Sequence, residues 1–209
     1  MKRNSTQTKE KLINAIQEIL LEEGYGGLGV NKLAKKAGVD KRLIYRYFGS
    51  YNNLLEQFIL KKDYWINIVD NVDNVLTKSK SLSLQEIVFF YLEKQMSIFY
   101  HDKVLQQLTL WHLNEPNHPV FLKINEIREK TSSHVLRKMS LRFEKSNINF
   151  RSIIAVLIGG ICYISLSAQS HKIAFCEIDL NDELGQMEIR KAIRLITEWS
   201  FSGVRNEQE

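Results

Sequence analysis

Apolar residues recur along this chain at the spacing of amphipathic helices. In the first stripe, Leu12, Ile16 and Ile19 follow one another at intervals of about one helical turn. Glycines separate the stripes near the N-terminus, and a glycine directly after a stripe favours the conformation that ends a helix. The pattern predicts about nine helices, over residues 8–23, 30–37, 41–48, 51 to about 69, 83–100, 102–114, 119–145, 150–171 and 183–203.

Few helix breakers interrupt this pattern, which indicates an all-α protein. Pro116 and Pro119 are the only prolines, and they lie between two predicted helices. Hydrophobic residues make up 44% of the 209 residues, which is enough apolar material for a core without disulfides. We therefore expect an all-α fold with a three-helix N-terminal domain over residues 1–50 and a larger helical domain over residues 51–209.

Positive charge is concentrated in the N-terminal quarter of the chain. Residues 1–50 contain ten Lys and Arg against five Asp and Glu, whereas the 19 basic and 19 acidic residues of the remainder cancel. Because Lys and Arg side chains hold phosphate backbones, this asymmetry indicates where a polyanion would bind.

No segment reads as a membrane or secretion signal. The N-terminus is polar, and the most apolar run, residues 153–168, is shorter than the ~20 residues that a membrane span needs. We expect a cytoplasmic protein with no membrane partner, and we interpret this run as a buried helix.

Residues 30–48, VNKLAKKAGVDKRLIYRYF, have the anatomy of a helix-turn-helix. Two short helices are joined by a tight turn at Gly38, and the second helix presents a polar face. Such a helix lies in the major groove, where arginine bonds a guanine edge and lysine or tyrosine suits phosphate oxygens. We expect base contacts from Arg42, Tyr45 and Arg46, and phosphate contacts from Lys41 and Tyr47.

The run GYGGLGVNKLAKKAGVDKRLIYRYFGSYNNLL resembles the DNA-binding head of the tetracycline-repressor family. The Gly-Tyr after the first helix, the AxxAGV turn and the YxxF end of the second motif helix agree at fixed spacing, over about residues 8–58. The resemblance implies a homodimer whose two heads bind half-sites of a near-palindromic operator in double-stranded DNA. It also implies a ligand-responsive transcriptional regulator, more a repressor than an activator, that a small-molecule effector releases from DNA.

The head departs from the family pattern at four positions. Gly29 stands where a Ser or Thr cap is common, and Tyr51 stands where a Lys is common. We expect the Tyr51 hydroxyl to replace the lysine's phosphate contact in part. Asp40 replaces a common Ser and would repel phosphates, while Arg42 replaces a small residue and would restore the balance.

The ligand is expected to be small and largely apolar, because a helical body that encloses such a compound needs large side chains around a cavity. The same residues are equally typical of an ordinary core, and that alternative stays open. The ligand-binding candidates are Trp65, Tyr100, Trp111, His112 and Phe121.

The last two helices carry more apolar surface than one subunit needs, which predicts a two-fold, self-complementary dimer contact. The alternative is that they form only the core of the body. The residues expected at the dimer interface are Ile154, Leu157, Ile161, Ile164, Ala168, Ile189, Ile193 and Ile196.

No enzyme signature is present, so we predict no catalytic residue, no metal site and no cofactor. The glycines of residues 24–29 match G-x-G-x-x-G, but they follow a predicted helix rather than a strand. Glu115 and His118 have the spacing of a carboxylate-bridged metal site, but the adjacent prolines interrupt the helix it requires. Two alternatives remain: a helix-turn-helix regulator that acts through a protein partner without a small ligand, and a helical metal-carboxylate enzyme.

Overall fold

The structure is a computed structural model that describes residues 2–64, 66–67, 72, 83–171 and 174–206. Within these ranges the chain forms nine α-helices, and the only extended pairing described is one isolated bridge between Phe175 and Ile178. The predicted all-α class is confirmed. The helices are α1 Lys2–Glu23, α2 Val30–Ala37, α3 Arg42–Phe48, α4 Tyr51–Lys62, α5 Leu84–His101, α6 Lys103–Asn114, α7 Pro119–Ser140, α8 Phe150–His171 and α9 Glu183–Asn206, with short 3-10 turns at Tyr25–Gly27 and Leu141–Phe143.

Local sequence signals explain most of the boundaries near the N-terminus. Gly38 ends α2 in the left-handed conformation, with φ of 64° and its N–H donated to the carbonyls of Ala34 and Lys35. Ser50 caps α4, since its side chain accepts the N–H of Asn53 at 3.0 Å. Gly29 precedes α2 without a side-chain cap, as its lack of a side chain requires.

The predicted fourth helix, from Tyr51 to about Val69, was wrong in its extent. The helix ends at Lys62, and Asp63 adopts an extended conformation. The Asp63 carboxylate then accepts the N–H of Ile66 at 3.0 Å, which begins a new helical turn. The side-chain cap therefore divides a stretch whose apolar periodicity alone is continuous.

The chain divides into two compact units. The first contains the described residues up to Asn67 together with Lys103–Glu129, and the second contains the described residues of 68–102 and of 130–209.

The first unit has a single apolar core. The core joins α1–α4 to α6 and the first part of α7, and its fully buried side chains include Leu12, Leu33, Ile44, Phe58 and Phe121. Helices as short as α2 and α3 bury little apolar area by themselves, so the additional helices supply the surface that stabilises them.

In the second unit, α5 packs against both α8 and α9. A capping box fixes the start of α5: the Ser83 side chain accepts the N–H of Glu86, and the Glu86 carboxylate accepts the N–H of Ser83. The hydrogen bonds that the Glu86 carboxylate accepts from the Ser83 backbone N–H and from the Ser83 hydroxyl lower the pKa of Glu86. Stacked rings of Phe143 and Phe150, 4.7 Å apart, join α8 to the turn that precedes it.

The apolar helix α8 is less buried than its sequence suggests. Residues Phe150–Ala168 are long and apolar enough, by length and composition, to cross a membrane, and 28% of this segment is buried. One face packs inside the unit, whereas Val156 is 74% exposed and Tyr163 is 59% exposed. The interpretation of this run as a buried helix was therefore only half right, because one apolar face remains uncovered.

Candidate functional site

The helix-turn-helix is assembled by small and apolar residues on its inner side. Leu33 and Ala34 of α2 are buried, as are Ile44 and Phe48 of α3. The N–H of Val39 returns to the carbonyl of Ala34 at 3.0 Å, which tightens the turn between the two helices. The packing of these inner faces leaves the opposite side of α3 in solvent.

That outer side of α3 is cationic and aromatic. Lys41, Arg42, Tyr45 and Arg46 are exposed, and Tyr47 is half-buried. The Arg46 guanidinium lies over the Tyr47 ring, 5.8 Å from its centroid. The structure thus brings together the five residues of α3 and its N-terminus that the sequence analysis proposed for DNA contact.

Two nearby lysines on α2 are engaged inside the head. Lys36 donates to both carboxylate oxygens of Glu22 at 2.6 and 2.7 Å, and this hydrogen bond raises the pKa of Lys36. Lys32 is paired with Glu23. These ion pairs fasten α2 to α1 rather than adding free positive charge.

Asp40 and Arg42 form a fork at the start of α3. The Asp40 carboxylate accepts Nη2 of Arg42 at 2.8 Å and its Nε at 3.1 and 3.2 Å. Its Oδ1 also accepts the backbone N–H of Arg42 at 2.8 Å. Side-chain and then backbone hydrogen bonds from Arg42 lower the pKa of Asp40 to about 2, and the same pair raises the pKa of Arg42. From the sequence we expected Asp40 to repel phosphates and Arg42 to restore the charge balance, but the direct pairing of the two side chains was not predicted.

Asn31 is a further polar residue at this surface that sequence analysis missed. Its Oδ1 accepts the Lys41 ammonium at 3.3 Å, which links α2 to the start of α3. A lone asparagine on a helix carries no sequence signal of such a role, because the contact is made across the motif.

Tyr51 does not take the position expected from the sequence. Its hydroxyl is buried and has no hydrogen-bond partner, and burial raises the pKa of Tyr51 to about 12. The side chain packs against the apolar core of the first unit. The expectation that this hydroxyl replaces a phosphate-binding lysine is therefore contradicted by its inward orientation.

Three of the ligand candidates lie in the first unit and pack with the head. Trp111 stacks on Tyr25, and its ring centroid lies 4.8 Å from that of Phe121. Its Nε1 donates to Glu115 at 3.1 Å, so its one polar atom is satisfied. His112 stacks on Phe121, and burial followed by the nearby Arg128 charge lowers the pKa of His112. These contacts are those of a core, the alternative that the sequence left open.

The other two ligand candidates are separate from this cluster. Tyr100 belongs to the second unit, where its hydroxyl donates to Asn181 Oδ1 at 3.2 Å. Trp65 lies outside the described residues. An open groove of about 370 Å³ in the second unit is lined by polar residues such as Arg137, Asn147 and Arg151, and by none of the candidates.

Each of the two chain segments of the first unit contributes, near its C-terminal end, one residue of an ion pair between Asp63 and Arg128. Arg128 donates from Nε to Asp63 Oδ2 at 2.7 Å, and its Nη2 lies 2.6 Å from the same oxygen. The Asp63 side chain is 1% exposed and that of Arg128 is 32% exposed. The pair ties the end of α4 to α7.

Most residues expected at a dimer interface face inward instead. Five of them are buried within the second unit, where a second subunit would not reach them: Ile154, Leu157, Ile161, Ala168 and Ile193. Ile164 and Ile189 are half-buried, and Ile196 is 36% exposed. The exposed apolar residues of the same helices are Val156, Tyr163, Leu184, Met187, Leu195 and Trp199. Helical periodicity identified an apolar stripe, but it did not show whether that stripe faces the interior of its own subunit or a partner subunit.

Two polar atoms are left without hydrogen-bond partners in the apolar interior of the second unit. Gln95 is 3% exposed and its Oε1 has no partner; Ser165 is fully buried and its Oγ has none. The Gln95 Nε2 lies 3.9 Å from the Cys162 sulfur, one helical turn before Ser165 on α8. Unpaired buried polar atoms are rare in folded proteins and call for an explanation.

Comparisons with known proteins agree with this arrangement. Residues 9–58 match the family described as bacterial regulatory proteins, tetR family. The fatty acid metabolism regulator protein of Bacillus subtilis (strain 168) is 29% identical over 117 residues, which cover 56% of this chain and 58% of that protein. The match thus spans less than two thirds of that relative.

Solved structures share the fold over nearly the whole chain. The fatty acid degradation regulator FadR from Bacillus halodurans has a TM-score of 0.66 at 19% identity, covering 91% of this chain and 94% of that one. The regulator FadR from Bacillus subtilis, in complex with stearoyl-CoA, also has a TM-score of 0.66 at 19% identity, with coverages of 90% and 96%. A TetR family regulator from Marinobacter aquaeolei VT8 covers 97% of this chain, with a TM-score of 0.63 at 14% identity.

The helix-turn-helix and the exposed face of α3 lie within residues 9–58, the part of the chain that matches the tetR family of bacterial regulatory proteins. The fold of the chain is shared with a solved TetR family regulator.

Proposed function

We propose that this chain is a ligand-responsive transcriptional repressor that binds a near-palindromic operator as a homodimer. The observation that carries the proposal is the exposed cationic face of α3, which lies on a helix-turn-helix within the residues that match the family. It acts in the cytoplasm, where operator DNA lies, and has no enzymatic activity of its own.

DNA binding follows from the chemistry of that face. Arg42 and Arg46 supply the donor geometry that reads guanine, and Lys41 supplies a cation for the phosphates at the start of α3. Affinity is then expected to fall as salt concentration rises, because neutralising phosphates releases bound counterions.

The dimer is proposed to form through the uncovered faces of α8 and α9. Val156 and Tyr163 of α8 and Trp199 of α9 are 74%, 59% and 67% exposed, and large apolar side chains left uncovered on a folded subunit are candidates for an interface. A two-fold axis would bring each face against its own copy. Such a contact explains why a helix as apolar as α8 is uncovered in the single subunit.

The effector is proposed to be a long-chain fatty acyl thioester. The regulator FadR from Bacillus subtilis was solved with stearoyl-CoA, and the curated Bacillus subtilis relative is named for fatty acid metabolism. Gln95 and Ser165 support a ligand site between α5 and α8, because their unpaired polar atoms sit among apolar side chains. The Ser165 hydroxyl can donate to a thioester carbonyl while the acyl chain replaces apolar contacts.

The DNA-binding proposal is tested by selecting bound fragments of the source genome at about 150 mM salt, a condition that must be fixed for any specificity claim. We expect a two-fold symmetric site. Arg46→Ala is expected to lose it, whereas Arg137→Ala, which removes the same charge from the second unit, is expected to keep it. Equal enrichment by all three proteins, or enrichment by none, would refute the proposal.

The effector proposal is tested on the operator that this selection recovers. Stearoyl-CoA is added to the protein–operator complex and release is followed by fluorescence anisotropy, with coenzyme A and stearate as separate controls. We expect release by the thioester alone.

Substitutions in the second unit then locate the effector site. Gln95→Leu with Ser165→Ala is expected to reduce sensitivity to the thioester at unchanged operator affinity. Thr197→Val is the control, because that buried hydroxyl already donates to the Ile193 carbonyl. Operator binding that no thioester reverses would instead favour a regulator that acts without a small ligand.

A further inference from the structure

The ion pair between Asp40 and Arg42 uses only one of the two hydrogen-bonding edges of the Arg42 guanidinium. Asp40 occupies the side-on edge of the guanidinium, formed by Nε and Nη2. The end-on edge, formed by Nη1 and the second N–H of Nη2, points away from the carboxylate because the guanidinium is planar. The Arg42 side chain is 87% exposed. A held arginine therefore presents two parallel N–H donors to solvent at the N-terminal end of α3.

Two parallel donors on a planar group match the O6 and N7 acceptors of guanine in the major groove. An unrestrained arginine must lose rotamer freedom when it makes that contact. Arg42 has already lost much of this freedom, since its side chain is held by one carboxylate and its backbone N–H is bonded to the same group.

We propose that Asp40 is a positioning residue for DNA reading, which holds Arg42 so that its end-on edge recognises one guanine in each operator half-site. The inference rests on the proposed DNA binding and adds the base that is read and the residue that orients the reader. Asp40 acts through Arg42 and does not itself contact the base.

The hydrogen bonds of Asp40 argue against direct reading by this carboxylate. A carboxylate at a base edge would accept from the cytosine amino group. Both Asp40 oxygens already accept from Arg42, and Oδ1 accepts in addition from the backbone. A contact to cytosine would have to displace part of the fork.

Stability is a poor readout for this pair, because exposed ion pairs contribute little to folding. The measurement is instead the base preference at every operator position, determined with single base-pair substitutions in the selected site. The variants are Asp40→Asn, Arg42→Ala and the double variant. Asparagine retains an oxygen for the Arg42 backbone N–H and loses only the charge, so the start of α3 is kept.

Wild type is expected to prefer guanine about tenfold or more at one position of each half-site. Arg42→Ala should abolish that preference and leave the other positions unchanged. Asp40→Asn should weaken the same preference several-fold while affinity for non-specific DNA stays equal or rises, because a negative charge near the phosphates is lost. The double variant should match Arg42→Ala alone, which is the signature of a residue that acts through another.

Two results would overturn the inference while the proposed DNA binding stands: a base profile that Asp40→Asn leaves unchanged, and a preference lost at a different base pair from the one lost in Arg42→Ala. The second result would make Asp40 a direct reader. Selection of no operator by wild type would reject the DNA-binding proposal, and this inference with it.

Discussion

Removal of Arg128 is expected to destabilise the first unit more than neutralisation of its partner Asp63. Arg128→Met leaves a carboxylate that is 1% exposed without its cation, while the methionine roughly conserves the aliphatic volume. Removing one partner of a buried pair costs about 3–5 kcal/mol. Because one third of the Arg128 side chain reaches solvent, water can partly replace it, and we expect about 3 kcal/mol.

Asp63→Asn leaves a different deficit. Asparagine still accepts the N–H of Ile66, so the start of the next helical turn is preserved. The remaining Arg128 charge is 32% exposed and can be hydrated. We therefore expect a cost of about 1.5–2 kcal/mol, the lower part of the range for a lost hydrogen bond to a charged group.

Urea unfolding followed by circular dichroism at pH 7, at one fixed protein concentration, measures both variants. Lys123→Met is the control, because it breaks an ion pair with Glu56 whose lysine is 56% exposed; we expect at most about 1 kcal/mol from it. The reasoning fails if Arg128→Met costs no more than the control, or if Asp63→Asn is the costlier change.

Three further outcomes follow from the structure. Tyr51→Phe should leave operator affinity unchanged and stabilise the fold by up to about 1 kcal/mol, because it removes a buried hydroxyl that has no partner; weaker DNA binding would show that the hydroxyl reaches phosphate. The lowered pKa of His112 means that the unfolded chain takes up this proton first as pH falls below 6.5, so stability present above that pH is lost below it. His112→Gln should therefore lose less stability than wild type between pH 7.5 and pH 5.5, as measured by the unfolding midpoints. A pH dependence identical to that of wild type would contradict the assignment. Trp199→Ala should raise the dimer dissociation constant at least about tenfold in sedimentation, as loss of an interface aromatic does; an unchanged constant would place the interface elsewhere.

The helix-turn-helix could be found from the sequence because its determinants are local. Gly38 permits the left-handed turn, and the inward positions Leu33 and Ile44 follow helical periodicity within a few residues of it. The exposed positions of Arg42 and Arg46 follow from the same periodicity, since the opposite face of a short helix must meet solvent. No distant contact is needed to specify these features.

The orientation of single side chains depended on contacts between distant parts of the chain. Periodicity shows that Ile154 and Ile161 share a face of α8, but only their packing within the second unit shows that this face is internal. Trp111 is equally suited to a ligand cavity and to a core, and only the fold shows that its ring stacks on Tyr25. Its role as a ligand contact stays a prediction.

Polar residues were the least predictable, because their energetics depend on the partner that the fold supplies. The Asp63 side chain caps a helical turn through a local contact with Ile66, but its burial is compensated by Arg128, which comes from another helix. Tyr51 lost its expected role because its ring packs inward with the core. Apolar burial follows a pattern that the chain itself carries, whereas a hydrogen bond or ion pair requires two groups within about 3 Å, and folding alone brings such distant groups together.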